Sequence, residues 1–366
     1  MALRLARCGV GVRLLERSRF PRTKVCGEYL SPAALEALGD LGMRETILSK
    51  AHRLRRVSLS AFGSDPLSLS LPACGAASMP RAALDATLLQ AALDAGATLT
   101  DGVYLGSSAG GSSMQVLYRD GRGVDASLRA RVLVGADGVW SAVAQRSHLC
   151  GRRDGRGRWA LGGHVPEQRP SDELEMYVGE AGYYARNPLG GGMVNQMLIA
   201  PKPPADDQAD RLVQEITGGR HRFAAETLER RLAVGPLRYA PARIGHGRTL
   251  LSGDAAGLLD PFTGQGVALA LQLSRETAVA AKSILAGKNR RGAIGSYAAA
   301  RRRALLPKRL LSVLVNVLLR TPALRSRALR RTRADGRTAE LLLAVVCGAV
   351  PAGRALSARR LWKLLA

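Results

Sequence analysis

Residues 249–270, TLLSGDAAGLLDPFTGQGVALA, decide how the rest of the chain is read. Thr249 to Leu251 make a short apolar strand, and Gly253 breaks it. Asp254 then stands at the strand's end beside a glycine-rich loop, where its carboxylate suits the hydroxyls of a cofactor chain. Pro261 stiffens the loop, and Gly264, Gln265 and Gly266 open a helix predicted to run to about Ala286. A helix start with bare amides carries roughly half a positive charge, so it favours negative charge on a bound group.

Two earlier turns share this strand-then-turn form. Residues 132–143, VLVGADGVWSAV, run a β-branched strand into an acidic turn. Such a turn can seat pyrophosphate on backbone amides and set Asp137 and Gly138 near cofactor hydroxyls. Residues 10–16, VGVRLLE, read as a strand ending in Glu16, with Arg17 directly after it. In a dinucleotide fold a carboxylate at that place accepts from the adenosine ribose hydroxyls. Each turn alone is modest evidence; the order of the three is much stronger.

The remaining pattern surrounds these turns. Residues 1–9 read as the end of an amphipathic helix closed by Gly9, and helices are predicted over 32–41 and 81–95. Period-2 alternation over 54–72 gives two half-buried strands, and shorter strands follow near 98–105, 114–118 and 130–134. Segments 159–165, 172–178 and 193–199 read as antiparallel strands, 206–233 as helix, and everything beyond Arg301 as basic helix.

Composition narrows the class. The chain has 366 residues, 46 % of them apolar, which excludes disorder throughout and allows two or three domains. Its 41 glycines fit a fold with many tight turns, while 15 aromatic residues are too few for a stacking platform on single-stranded nucleic acid. The net charge is +25, and residues 301–366 carry sixteen basic and two acidic side chains. That tail points to an anionic partner, with a membrane surface preferred over nucleic acid. The five cysteines form no CxxC pair and the five histidines have no metal-ligand spacing, so a disulfide framework and a metal site are not expected. No stretch has the form of a signal peptide or is long enough to span a bilayer, so a cytoplasmic protein is expected, peripheral to the inner face of the membrane through its tail.

Glu16, the loop ERSRFPRTKVCGEYLSP (16–32), the helix PRAALDATLL (80–89), GADGVWSAV (135–143) and GDAAGLLDPFTGQG (253–266) occur in one order. In that order the chain resembles FAD-dependent oxidoreductases of the geranylgeranyl reductase-like group, within the para-hydroxybenzoate hydroxylase-like flavoproteins. The resemblance covers roughly residues 1–300. It implies an α/β, glutathione reductase-like (Rossmann-like) FAD-binding fold with an interleaved antiparallel-sheet substrate domain and a helical C-terminal tail. The FAD-binding domain would comprise 1–50, 80–151 and 244–300, and the substrate domain 51–79 and 152–243. By resemblance Glu16 holds the adenosine ribose, Arg81 lies at the flavin, Asp137 is near the pyrophosphate and Asp254 holds the ribityl chain. Gly264, Gln265 and Gly266 would follow the isoalloxazine edge, and Cys26 would sit beside the flavin, able to steer a proton.

The chain also departs from that group. The group opens with a strand and a GxGxxG turn, whereas this sequence begins in the helix that should follow. Its GADG usually runs on to an arginine where Ala144 stands here. The stretch GYYARNPLGGG (182–192) has Ala185 and Asn187 where prenyl reductases carry Trp and Phe, which argues against a long prenyl substrate. Trp140, Trp159 and Trp362 are isolated, so the halogenase Trp-x-Trp-x-Ile-Pro signature is missing. The expected function is FAD-dependent oxidation or reduction of an apolar small molecule, with NADPH or NADH as reductant. An aromatic-ring monooxygenase is the alternative. A flavin-free, non-catalytic or membrane-associated remnant is the third reading, and on it this chain is inactive for want of the GxGxxG turn.

Overall fold

The computed structural model describes residues 1–350 except 74, 152–156, 168, 170, 224–231, 238–239, 259–261, 263, 338–339, 341–343 and 346–349. The chain opens with α1 (Ala2–Ala6) and β1 (Arg13–Glu16). A loop leads to β2 (Tyr29–Leu30), α2 (Pro32–Gly39) and α3 (Arg44–Leu48). Then come β3 (His52–Leu54), β4 (Arg56–Ala61), β5 (Leu67–Ser70), β6 (Ala76–Ser78) and α4 (Arg81–Asp94). The meander β7 (Thr98–Gly110), β8 (Ser113–Asp120) and β9 (Asp125–Ala130) precedes β10 (Leu133–Gly135) and α5 (Ala142–Arg146). Next are β11 (Trp159–Pro166), β12 (Glu173–Val178), β13 (Tyr183–Gly190), β14 (Met193–Ala200), α6 (Asp206–Thr217) and β15 (Leu232–Val234). β16 (Gly245–His246) and β17 (Thr249–Leu251) lead through a 3-10 turn at Gly253–Ala256 into α7 (Gly266–Leu285). The last elements are α8 (Arg290–Arg320) and α9 (Pro322–Ala334).

Parallel pairing comes in two separate pieces. β1 pairs β7 in parallel at one edge of the sheet β1-β7-β8-β9, and β10 pairs β17 in parallel at one edge of the sheet β10-β17-β16. Among the described residues each of β1 and β10 has one strand partner, and Val12, just before β1, and Val134 of β10 pack against a single apolar cluster. Helices α2, α4 and α7 bury Leu35, Leu38, Leu84 and Ala268 against one another. Ser31 starts α2 by accepting from Ala34 N–H, with Pro32 at the first helical position.

The third layer is a seven-stranded sheet, β15-β11-β14-β13-β12-β4-β5. Alternation gives it two faces. Leu161, Tyr177, Tyr184 and Leu198 lie under Ala209, Val213 and Ile216 of α6, while Ala160, Val178, Tyr183, Met197 and Ile199 form the opposite face. The mixed α/β architecture with a helical C-terminal part is the one expected from sequence.

Several local expectations need correction. The segment 130–134 is two elements: Asp125–Ala130 alternates and folds back on β8, whereas Leu133–Gly135 pairs in parallel with β17. Strand β13 is absent from the sequence reading, and β12 is antiparallel to β13 but parallel to β4. The predicted helix 206–233 stops at Thr217, because Gly218 takes the left-handed cap conformation (φ 63°), and 232–234 is strand. Residues 224–231 within that prediction lie outside the described residues, as do 351–366 of the basic tail. The expected start of the tail at 301 falls inside a helix. α8 runs through that position, anchored by Tyr297 Oη donating to Leu251 O at 2.8 Å and by Arg301 donating to Gly257 O at 2.7 Å.

Burial pushes Lys308 on α8 down to about 8 from an ordinary 10.5. Between those values the unfolded chain binds the proton that the folded chain has lost, so stability rises with pH across the window. Lys308→Met is expected to stabilise the protein at neutral pH by up to about 3 kcal/mol and to flatten this rise. Thermal denaturation from neutral to alkaline pH checks it, and an unchanged profile in the variant contradicts it.

Candidate functional site

A cavity of about 2120 Å³ lies between the parallel strands and the seven-stranded sheet. Single small-molecule sites occupy roughly 300–1,000 Å³, so this volume has room for a dinucleotide and a second ligand. Glu16, Arg17, Cys26, Arg81, Asp137, Gly138, Gly253, Asp254, Gly264 and Gly266 all line it. Gln265 is buried at 2 % exposure as the N-cap of α7, and Pro261 lies outside the described residues.

One wall is a chain of alternating charges. Glu16 closes β1; one carboxylate oxygen accepts from Ser18 N–H at 3.0 Å and the other faces Arg22 Nε at 3.5 Å. Arg22 Nη1 lies 3.3 Å from Asp85, and Arg81 grips Asp85 with both ends of its fork, at 2.9 and 2.8 Å. Burial works against the Arg81 charge, but the Cys26 sulfur and then Asp85 outweigh it and hold the guanidinium firmly protonated.

The loop Cys26-Gly27-Glu28 forms the corner. Glu28 is 3 % exposed and sits in the left-handed region (φ 56°), a costly conformation for a side-chain-bearing residue. Its Oε1 accepts from the Arg81 N–H at the start of α4 (2.7 Å), and its Oε2 lies 2.6 Å from His164 Nε2 on β11. Two amides on the seven-stranded sheet hold the same loop: Asn187 donates to Gly27 O at 2.8 Å and Asn195 to Cys26 O at 2.7 Å. Glu28 N–H donates to Cys26 Sγ at 3.3 Å. Cys26 thus stands in a polar, cation-flanked corner rather than in an apolar core.

The acidic turns complete the corner. Asp137 accepts from Val143 N–H at 3.2 Å while Ser141 caps α5 through Ala144 N–H at 2.9 Å, so one Asp137 oxygen is committed to the turn itself. Gly138 has φ 79°, and a Cβ there would stand 3.5 Å from Lys24 Nζ. The Lys24 ammonium therefore lies over this turn. Burial and then Arg81 push Lys24 below its ordinary value, while Asp254, Cys26 and Asp85 pull it back. Asp254 is half-buried in the turn after β17. Gly264 has φ 62°, and a Cβ would come within 2.9 Å of the Tyr29 ring, which explains glycine there. At Gly266 a Cβ would meet nothing within 4 Å, and α7 has no side-chain cap, so the start of a 20-residue helix opens on the cavity.

The donor set fits FAD on these observations. A carboxylate ends β1, a second carboxylate follows β17, a half-buried ammonium covers the turn between them, and an uncapped helix start faces the space beyond. Sequence reasoning missed Lys24, Glu28, His164, Asn187 and Asn195 as parts of this corner. The sequence reading names Arg81 by resemblance but not its i, i+4 partner Asp85, although that spacing is a local signal. The partners of Glu28 lie 53 and 136 residues away, and no local signal announces such pairs.

Comparison with known proteins bears on the family and the fold. The model of the family described as FAD binding domain matches residues 1–307. Over 294 residues the chain is 29 % identical to the menaquinone reductase of Mycolicibacterium smegmatis (strain ATCC 700084 / mc(2)155), covering 74 % of this chain and 70 % of that protein. It is 29 % identical to the menaquinone reductase of Mycobacterium tuberculosis over 340 residues, 82 % and 79 % of the two chains. Among solved structures, a flavoprotein/dehydrogenase from Cytophaga hutchinsonii superposes with a TM-score of 0.81 at 16 % identity, covering 95 % of this chain and 89 % of that one. A triple mutant of the flavin-dependent brominase Bmp2 gives 0.79 at 18 %, covering 96 % and 93 %. At these identities the superpositions speak for the fold alone. With the family matched over most of its length, the chain belongs to the FAD binding domain family and, through it, to the flavin-dependent oxidoreductases and monooxygenases.

Proposed function

We propose that the protein is an FAD-dependent reductase of the geranylgeranyl reductase-like group, acting on an apolar lipid quinone with NADPH or NADH as electron donor. The observation that carries this reading is the wall facing the charged corner. Val57, Leu59, Leu69, Met176 and Met197 line it, with Ala185 leaving open the space a larger side chain would fill. Tyr183 and Phe262, ring centroids 5.4 Å apart and nearly perpendicular, add an aromatic surface to the same chamber. The names of the mycobacterial relatives support it, since menaquinone is a naphthoquinone with an isoprenoid tail, and they outweigh the expectation against a long prenyl substrate that rested on Ala185 and Asn187; Asn187 is committed to Gly27 O.

Bound FAD would supply hydride chemistry, and the protein's part is to bind, orient and exclude water. In this reading Glu16 and Arg17 receive the adenosine ribose end, Asp137 and Gly138 the pyrophosphate end, and Gly253 and Asp254 the ribityl chain. Pro261, Gly264, Gln265 and Gly266 follow the ring edge. Lys24 offers a cation to the most negative part of the cofactor. The Cys26 sulfur, fixed by Glu28 N–H, holds the proton that a reduced substrate takes up.

Two measurements test the reading. Anaerobic incubation with menaquinone, FAD and NADPH or NADH is expected to give reduced product; turnover that occurs only with oxygen selects the monooxygenase instead. Asp254→Ala is expected to cost about 1.5–3 kcal/mol of FAD affinity. Lys24→Met is expected to weaken FAD about tenfold and to lower its salt dependence. Equilibrium titration of flavin fluorescence measures both, and unchanged affinity removes the assigned residue from the site.

A further inference from the structure

Helix α8 has two apolar faces where a helix packed on a domain needs one. Its inner face buries Leu305, Leu311 and Ser312, together with Arg301. On the opposite side Leu306, Leu310, Val313 and Val317 follow the i, i+4, i+7, i+11 spacing of a single stripe, and each is between 48 and 62 % exposed. Covering the core explains the first face and leaves the second unexplained.

The charge around the stripe is of one sign. From Thr277 to Ala334 the chain has fifteen basic residues and no acidic one. At about 100° per residue, Arg302 and Arg309 flank the stripe on one side and Arg303 on the other, and all three are exposed. On α9, Arg330 and Arg331 are exposed as well. Among the described residues no helix is long and apolar enough to cross a membrane. An exposed apolar stripe edged by arginines, on a helix that does not span, matches a helix lying in the plane of a lipid surface.

The stripe also adjoins the cavity. Leu311, Leu314 and Ala328, from α8 and α9, line the cavity, and half-buried Leu314 sits between the inner face and the outer stripe. We propose that the outer face of α8 docks on an anionic phospholipid surface, Leu306, Leu310, Val313 and Val317 entering the acyl boundary and the flanking arginines meeting phosphate headgroups. If the substrate is the lipid quinone proposed above, this contact places the Leu314 side of the cavity against the bilayer that holds it; the docking itself does not depend on that reading.

Flotation of the full chain with phosphatidylcholine vesicles, with and without phosphatidylglycerol, tests the docking without any substrate. Recovery with anionic vesicles, weakened by salt, is the expected result. Leu310→Ser with Val313→Ser is expected to lower the partition coefficient about tenfold or more, and Arg302→Glu with Arg303→Glu to abolish the preference for anionic lipid. Circular dichroism and thermal melting establish that both variants fold, as surface substitutions should. The proposal is overturned if the chain ignores vesicles, if either folded double variant floats like the parent, or if light scattering shows a dimer that the Leu310→Ser, Val313→Ser variant breaks. Binding to duplex DNA in place of vesicles overturns it equally.

Discussion

The Glu28 carboxylate is the interaction on which the rest of the site depends. It is almost fully buried, on a backbone held in the left-handed region, and both oxygens are engaged. One takes the first N–H of α4 and the other meets His164 on the seven-stranded sheet, so one side chain ties the helix of the parallel layer to the sheet across the cavity. A buried charge left without one partner is strongly destabilised, which makes the arrangement all-or-none. Asn187 and Asn195 fix the same loop through its carbonyls, so Cys26 and Lys24 have little freedom to leave the corner they share with Arg81.

From that corner the electrostatics run in two directions. Toward β1 the charges alternate, Arg81, Asp85, Arg22, Glu16, and compensate one another locally. Toward the turns after β10 and β17, Lys24 faces Gly138 and Asp254 with no such pairing in sequence, and the start of α7 adds its own positive end. A negatively charged cofactor is therefore favoured on one side of the cavity, and the sheet on the other side offers an apolar surface.

Much of this arrangement is legible in the sequence. The strand-turn-helix at 249–270 and the acidic turn at 132–143 depend on local patterns, and the fold places Asp254, Asp137 and Gly266 around one cavity. The i, i+4 spacing of Arg81 and Asp85 is also local, though the sequence reading singles out only Arg81. What the sequence conceals is long-range. His164 reads as an isolated structural histidine because its partner is in a distant loop, and Asn187 reads as a lost aromatic residue although it clamps the Cys26 loop. Strand β13 escapes a sequence reading because its Pro188 and the glycines at its ends break the usual strand signals, and its pairing on β12 and β14 overrides them. The second apolar face of α8 cannot be separated from the first until burial assigns one of them to the core.

A flavin held in this cavity, with Lys24 and Asp254 on its polar side, is the centre of the proposal. The most direct measurement is a fluorescence titration of FAD into the protein and into the same chain carrying Lys24→Met with Asp254→Ala. Saturable binding of one flavin per chain is expected for the parent, weakened about tenfold or more in the double variant. No binding by the parent, or equal affinity in the two proteins, would contradict the site.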